Sequence, residues 1–234
     1  MIVDKNYPGL IMDEYGIYRL KGSLVSDDSI AIQLDGPLFV SGSIEAGRSI
    51  KADGAIYAGG SIKADGSIYA GGSIYAGGSI EAGGSIEAGG SIEADGSIKA
   101  GGFIEADCSI YAGGSIEAGG FIKAGGFIEA DCSIYAGGSI EAGGSIYAGG
   151  SIEAGGFIEA DGSIKAGGSI EARCGINAWK EIVSSSYISS GFRIFAGLSV
   201  FRDADNCEKA IQCHELRNGE ICYGDLVIVG GGRE

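Results

Sequence analysis

Isoleucine stands on every sixth residue from Ile44 to Ile194 without a break, and no other feature restricts the fold of this chain so tightly. The commonest hexad reads Ile-x-Ala-Gly-Gly-Ser, as in Ile80-Glu81-Ala82-Gly83-Gly84-Ser85. The same phase extends back through Leu38 and Ile32 and forward to Val200. An unbroken short period marks a fold that grows by stacking units, each covering its apolar face with the next. Side chains alternate along a strand, so Ile and the Ala two residues later share the inner face. The residue before Ile (Ser or Phe) and the one after it (Glu, Lys or Tyr) then point outward.

The fourth hexad position is Gly or Asp (Asp53, Asp65, Asp95, Asp107, Asp131, Asp161), the residues that best tolerate a left-handed corner. The fifth is mostly Gly or Cys, so Cys108, Cys132 and Cys174 are expected in a small inward slot. Each hexad is one short strand and one corner, and three hexads close a coil. The expected fold is all-β, a single-stranded parallel β-helix of triangular section with an eighteen-residue coil. Asp or Gly followed by Gly or Cys at the corner suits the left-handed form better, and the right-handed form stays open. Coils stack about 4.8 Å apart through parallel hydrogen bonds.

That register sorts the outward residues into columns. One reads Glu45, Lys63, Glu81, Lys99, Glu117, with charges alternating up the stack. A second holds Tyr57, Tyr75, Glu93, Tyr111, Glu129 and Tyr147, and a third Lys51, Tyr69, Glu87, Glu105, Lys123, Glu141 and Glu159. Phe103, Phe121 and Phe157 share a column of their own. The segment Phe103–Gly120 recurs letter for letter at Phe127–Gly144, four hexads on, so the copy falls on different faces and specific recognition is expected at the ends.

Residues 1–31 depart from the repeat and are expected to form an N-terminal cap, with strands at Ile17–Leu20 and Ser29–Ile32. Residues 32–203 are expected to form the helix. After Ala172 the repeat decays: Trp179 and Lys180 take corner positions, and Tyr187, Phe195 and Phe201 point outward. Residues 204–234 are expected to close the end as a hairpin over Glu208–Val229 that turns at Asn218-Gly219 and covers the apolar coil, in the same chain or in a homodimer.

Composition then excludes several classes. With 46 Gly but 2 Pro and no three-residue period, the chain is not collagen, and its regular Ile supplies the apolar burial that disordered chains lack. A net charge of −15 disfavours direct nucleic-acid binding and permits a basic protein partner, and it also serves to keep a long stack soluble. The N-terminus does not resemble a signal peptide, no apolar run is long enough to span a membrane, and the 6 cysteines do not form a disulfide framework. A cytoplasmic location with reduced thiols is expected.

Hexapeptide β-helices include acyltransferases, which need a histidine base and insertions that wall a pocket. Here the single histidine is His214 and the hexads from Ile44 to Ile194 carry no insertion, so no enzyme is expected. Cys207, Cys213, His214 and Cys222 match no zinc spacing, and neither a metal nor a cofactor is expected. The chain contains no Thr, which removes the flat Thr ladder of ice-binding helices.

The run GSIEAGGSIEAGGSIEADGSIKAGG, with GFRIFAGLSVF and the closing NGEICYGDLV, resembles hexad-repeat proteins of prophages and mobile elements. That resemblance implies a phage-encoded inhibitor of the anti-CRISPR or anti-restriction type, acting by contact with a host protein that binds nucleic acid. The alternative is a polymer-forming scaffold similar to bactofilins. The expected interaction surface comprises Trp179, Tyr187, Phe195, Phe201 and Tyr223 near the C-terminus. Along the columns it takes in the stacked carboxylates Glu87, Glu105, Glu141 and Glu159 and the outward Tyr57, Tyr75, Tyr111 and Tyr147.

Overall fold

A computed structural model describes residues 1–197 and 209–229 of the chain. They form strands and turns with no helix. The chain divides into two compact units, Met1–Gly119 and Gly120–Glu234.

In the first unit every hexad from Ile44 onward is a three-residue strand, Ile44–Ala46 through Ile116–Ala118. Three residues suffice because the Ile and the Ala are both driven inward while the Gly-rich remainder bends. The strands pair in parallel with a partner one coil away: Ile62 beside Ile80, Ile68 beside Ile86, and Ile74 beside Ile92. Three ladders with an 18-residue coil make a triangular β-helix. The isoleucines on these strands are wholly buried, and each contributes on the order of 2 kcal/mol through burial.

The corners do not use left-handed backbone. Among the described residues positive φ is confined to Gly9, Gly16, Gly22, Gly197, Gly219 and Gly224, none in a regular hexad. Where a corner carries glycine, an added side chain would crowd the coil below. A Cβ on Gly101, at the fourth position, would lie 2.1 Å from the Gly83 carbonyl oxygen. One on Gly78, at the fifth, would lie 2.5 Å from Ser61 Oγ. That oxygen is occupied, since the Ser79 N–H donates to it at 3.2 Å. The same bond repeats at Ser61 to Ser43 and Ser97 to Ser79, so a serine ladder climbs the corner beside the glycines. Cys108, at a fifth position, is exposed, which corrects its expected inward placement: this slot is narrow but faces solvent.

The helix begins earlier than the repeat suggests. Tyr18 pairs with Leu38, Leu24 with Ile44 and Ile30 with Ile50, a first coil of 20 residues. The two extra residues lie between Ile32 and Leu38, so Ile30 holds the isoleucine slot and Ile32 sits beside Ala52. The hexad phase therefore does not reach back to Ile32, and residues 18–32 belong to the stack. The longer corner does structural work: Asp35 accepts from Tyr18 Oη at 2.6 Å and from Lys5 Nζ at 2.8 Å. It ties down the strand Ile2–Val3, which lies on Ala31 and Ile32. On another ladder the strand Leu10–Met12 runs antiparallel to Tyr18–Leu20 and closes that edge.

The second unit continues the same design, with Ile122 beside Ile140, Ile128 beside Ile146 and Ile134 beside Ile152. Cys132 is exposed and Cys174 half-buried, neither in the core. Near the end the strands lengthen. Tyr187–Ala196 spans two sides of the coil, placing Ile188 on Ile170 and Ile194 on Ile176.

The expected hairpin is absent. The strand Glu215–Tyr223 runs through Asn218-Gly219 and pairs in parallel with Tyr187–Ala196, with register shifts at three places. The strand Asp225–Ile228 pairs in parallel with Ala210–Cys213. Gly219 has φ +110° and absorbs the bend between two sides of the coil. A Cβ there would meet the Ser190 Cβ at 2.9 Å. An Asn-Gly pair can serve a corner as well as a hairpin, and the inward slots held by Ile188 and Ile194 chose the corner.

Candidate functional site

The columns drawn from the register are present in each unit. Lys63 lies beside Glu45 and Glu81, and Glu81 beside Lys99. Lys63 Nζ is 3.9 Å from Glu81, and Lys99 Nζ 3.2 Å from Glu117. All four side chains are well solvated, so each pair contributes no more than about 1 kcal/mol. Tyr57 and Tyr75 are cross-coil neighbours with ring centroids 6.3 Å apart. Tyr111 neighbours Glu93 in the first unit, and Tyr147 neighbours Glu129 and Lys165 in the second. The expected like-charge stacks are also there: Glu87 on Glu105, Glu141 on Glu159, and Glu153 on Glu171.

Glu87 and Glu105 line a shallow depression of about 260 Å³ with Tyr69 and Asp107 in the first unit. In the second unit Glu141 and Glu159 line another, of about 290 Å³, which contains its own cation, Lys123. It shares Glu159 and Asp161 with a larger depression of about 400 Å³ one coil further on. That third depression is formed by Glu159, Asp161, Asn177, Trp179 and Phe195 around Ala160 and Ala178.

The repeat explains how these residues meet. Glu159, Asn177 and Phe195 are the outward residues of three stacked strands, with Glu159 beside Asn177 and Asn177 beside Phe195. Asp161 and Trp179 are corner residues one coil apart, and the Trp179 backbone N–H donates to the Ala160 carbonyl at 3.0 Å. The decay of the repeat thus places Trp179 at a corner that is Gly or Asp in earlier coils, and Asn177 and Phe195 at outward positions that are Glu, Lys or Tyr. Asn177 Nδ2 donates to Glu159 Oε1 at 3.0 Å and fixes one side of the recess. Among the described residues neither Glu159 nor Asp161 has a cation within ion-pair distance.

Of the residues singled out in the sequence, Glu159, Trp179 and Phe195 come together here. Tyr223 follows on the same column beside Phe195 and is exposed. Tyr187 lies apart, half-buried: its hydroxyl donates to Glu171, and the Arg217 guanidinium covers its ring at 3.4 Å from the centroid. Arg217 is held above its ordinary pKa by its hydrogen bond to Glu215. Phe201 and Cys207 lie outside the described residues.

Sequence reading missed Asp161, Asn177 and Arg217 as site residues. Asp161 was legible in principle, because adding one coil to its number gives Trp179. Arg217 was not, since its place depends on the irregular register of the last strands. His214 is exposed, and its backbone N–H donates to the Ser186 carbonyl. Cys213 is buried, and desolvation raises its thiol pKa. No helix among the described residues is long and apolar enough to cross a membrane. Comparison with family models, curated proteins and solved structures finds no match for this chain.

Proposed function

We propose that this protein is a non-catalytic binding protein that acts by surface contact with a basic protein partner. The observation that carries this reading is the recess of Glu159, Asp161, Trp179 and Phe195, where two carboxylates and two half-buried aromatic side chains line one depression. Aromatic residues supply contact area at interfaces, and carboxylates steer a basic surface toward it. A net charge of −15 extends that attraction over the whole molecule. Combined with the resemblance to prophage hexad-repeat proteins, the partner class is a host defence protein that handles nucleic acid, and the place of action is the bacterial cytoplasm.

The test is a plating assay in bacteria carrying an active restriction or CRISPR system. Expression of the chain raises phage plating or plasmid transformation at least tenfold against one such system, and D161N with W179A returns it to baseline. Unchanged plating across both classes of system overturns the inhibitor reading.

A bactofilin-like scaffold is the second reading, and one observation favours it. Leu226, Val227, Ile228 and Val229 at the C-terminal end are each more than two-fifths exposed. End-to-end stacking, or a homodimer through this end, would cover them. Light scattering separates the two: a mass independent of concentration supports the discrete binder, and steady growth with concentration supports the scaffold.

A further inference from the structure

We propose that the N-terminal edge of the first unit is a self-association surface, where a second copy of the chain adds its strand Leu24–Ser26 antiparallel to Leu24–Ser26 across a two-fold axis. The recess above belongs to the second unit, whereas this contact is built wholly from the first. All residues of the first unit lie within the described ones, so its opening edge can be followed side by side. On one side the strand Ile2–Val3 covers Ile30–Ile32, and the Ala31 and Gln33 N–H groups donate to the Met1 and Val3 carbonyls, both at 2.9 Å. On the next, Leu10–Met12 pairs with Tyr18–Leu20. On the third side Leu24–Ser26 pairs with Ile44–Ala46 of the following coil, and among the described residues no strand lies on its other edge.

The backbone of that strand is poised to pair again. The Leu24 N–H donates to the Ser43 carbonyl at 2.9 Å, and the Ser26 carbonyl accepts from the Gly47 N–H at 2.8 Å. Hydrogen-bonding directions alternate along a strand, so the Val25 N–H and C=O point toward the bare edge. The side chain agrees. Val25 heads the outward column that continues with Glu45, Lys63, Glu81, Lys99 and Glu117, and it is the one apolar member, 55% exposed. An edge is ordinarily blunted by charge, proline or a covering segment; two sides of this end are covered, and the third carries valine.

Charge selects a second copy as the occupant. Lys21 stands at the corner before the strand, and Asp27 and Asp28 at the corner after it. Asp28 has Arg48 at 3.4 Å, whereas Lys21 and Asp27 are exposed and have no ion pair among the described residues. Antiparallel apposition about Val25 brings the Lys21 corner of each copy to the Asp27 corner of the other. Parallel apposition would set like charges together. A two-fold contact is self-complementary and closed, so association stops at two chains.

Sedimentation equilibrium of the full chain, from micromolar to millimolar concentration, tests this. The mass rises from that of one chain, 23.6 kDa, and levels at two. The midpoint lies on the order of tens of micromolar, as for small transient interfaces. Val25→Pro removes the donor aimed at the edge and keeps the Leu24 and Ser26 bonds, so the chain stays monomeric. Val25→Lys, which leaves the backbone unaltered, does the same. Protection of the Leu24 amide in these variants shows that the strand itself is intact. Lys21→Asp and Asp27→Lys each weaken the dimer several-fold, and the two together restore it. A chain that stays monomeric at the highest concentration, a dimer that survives both Val25 variants, growth past two chains, or no recovery in the exchanged pair overturns the assignment.

Discussion

At the scale of single residues, this chain uses glycine for clearance and seldom for backbone freedom. Gly78 sits over Ser61 Oγ and Gly101 over the Gly83 carbonyl, while the repeat carries no positive φ. Gly78→Ala is therefore expected to cost about 1–3 kcal/mol. Part of that penalty disappears in a Ser61→Ala background, with a coupling of about 0.5–1.5 kcal/mol in a denaturation cycle. Additive effects would show that the serine ladder does not set the fifth position. Gly219 is the opposite case, with φ +110° and a virtual Cβ 2.9 Å from Ser190. Gly219→Ala is expected to release the strand Glu215–Tyr223, read as a loss of amide protection there, while the hexads of the first unit keep theirs. The periodicity pointed to glycine at these corners but gave the wrong reason, because what lies beneath belongs to the coil below: a carbonyl eighteen positions away from Gly101 and a hydroxyl seventeen positions away from Gly78.

At the scale of elements, the hexads were almost wholly legible and the ends were not. A three-residue strand with Ile and Ala inward has one way to stack, so strand positions followed from spacing alone. The two residues added between Ile32 and Leu38 moved Ile30 into the isoleucine slot, and only the pairing with Ile50 reveals it. Asn218-Gly219 carried a hairpin signal that tertiary stacking overrode. Ile80→Ala removes a side chain with no exposure and is expected to cost about 2–5 kcal/mol, lost first in the coils next to it. The N-terminal element has a pH dependence. Asp35 is held down from 3.8 to about 2, chiefly by the hydrogen bond from Lys5 and then by that from Tyr18. A carboxylate with a depressed pKa contributes its stabilisation above the unfolded value and loses it as the folded value is passed. The clasp is expected intact above about pH 4 and lost on acidification toward about pH 2. The readout is the protection factor of the Gln33 amide, which donates to the Val3 carbonyl. Asp35→Asn should remove that pH dependence and leave the amide less protected throughout.

At the scale of the whole molecule, function follows from where regularity stops. Coils of Ile, Ala and Gly present repeating columns, and the recess forms only where Trp179, Asn177 and Phe195 replace the repeat's own residues. The sequence made Trp179 and Phe195 visible as breaks in a pattern and Glu159 as one of two stacked carboxylates. Asp161 was hidden because it looked like any other corner, and Arg217 because irregular strands carry no periodic signal. All of this depends on parallel coils of eighteen residues. Cysteine cross-linking in a background with the native cysteines replaced measures that spacing directly. Lys63→Cys with Glu81→Cys should form a disulfide readily on mild oxidation, since these residues are direct cross-coil neighbours. Lys63→Cys with Tyr75→Cys, twelve residues apart, should not. Efficient bonding of 63 to 75, or none between 63 and 81, would contradict the account.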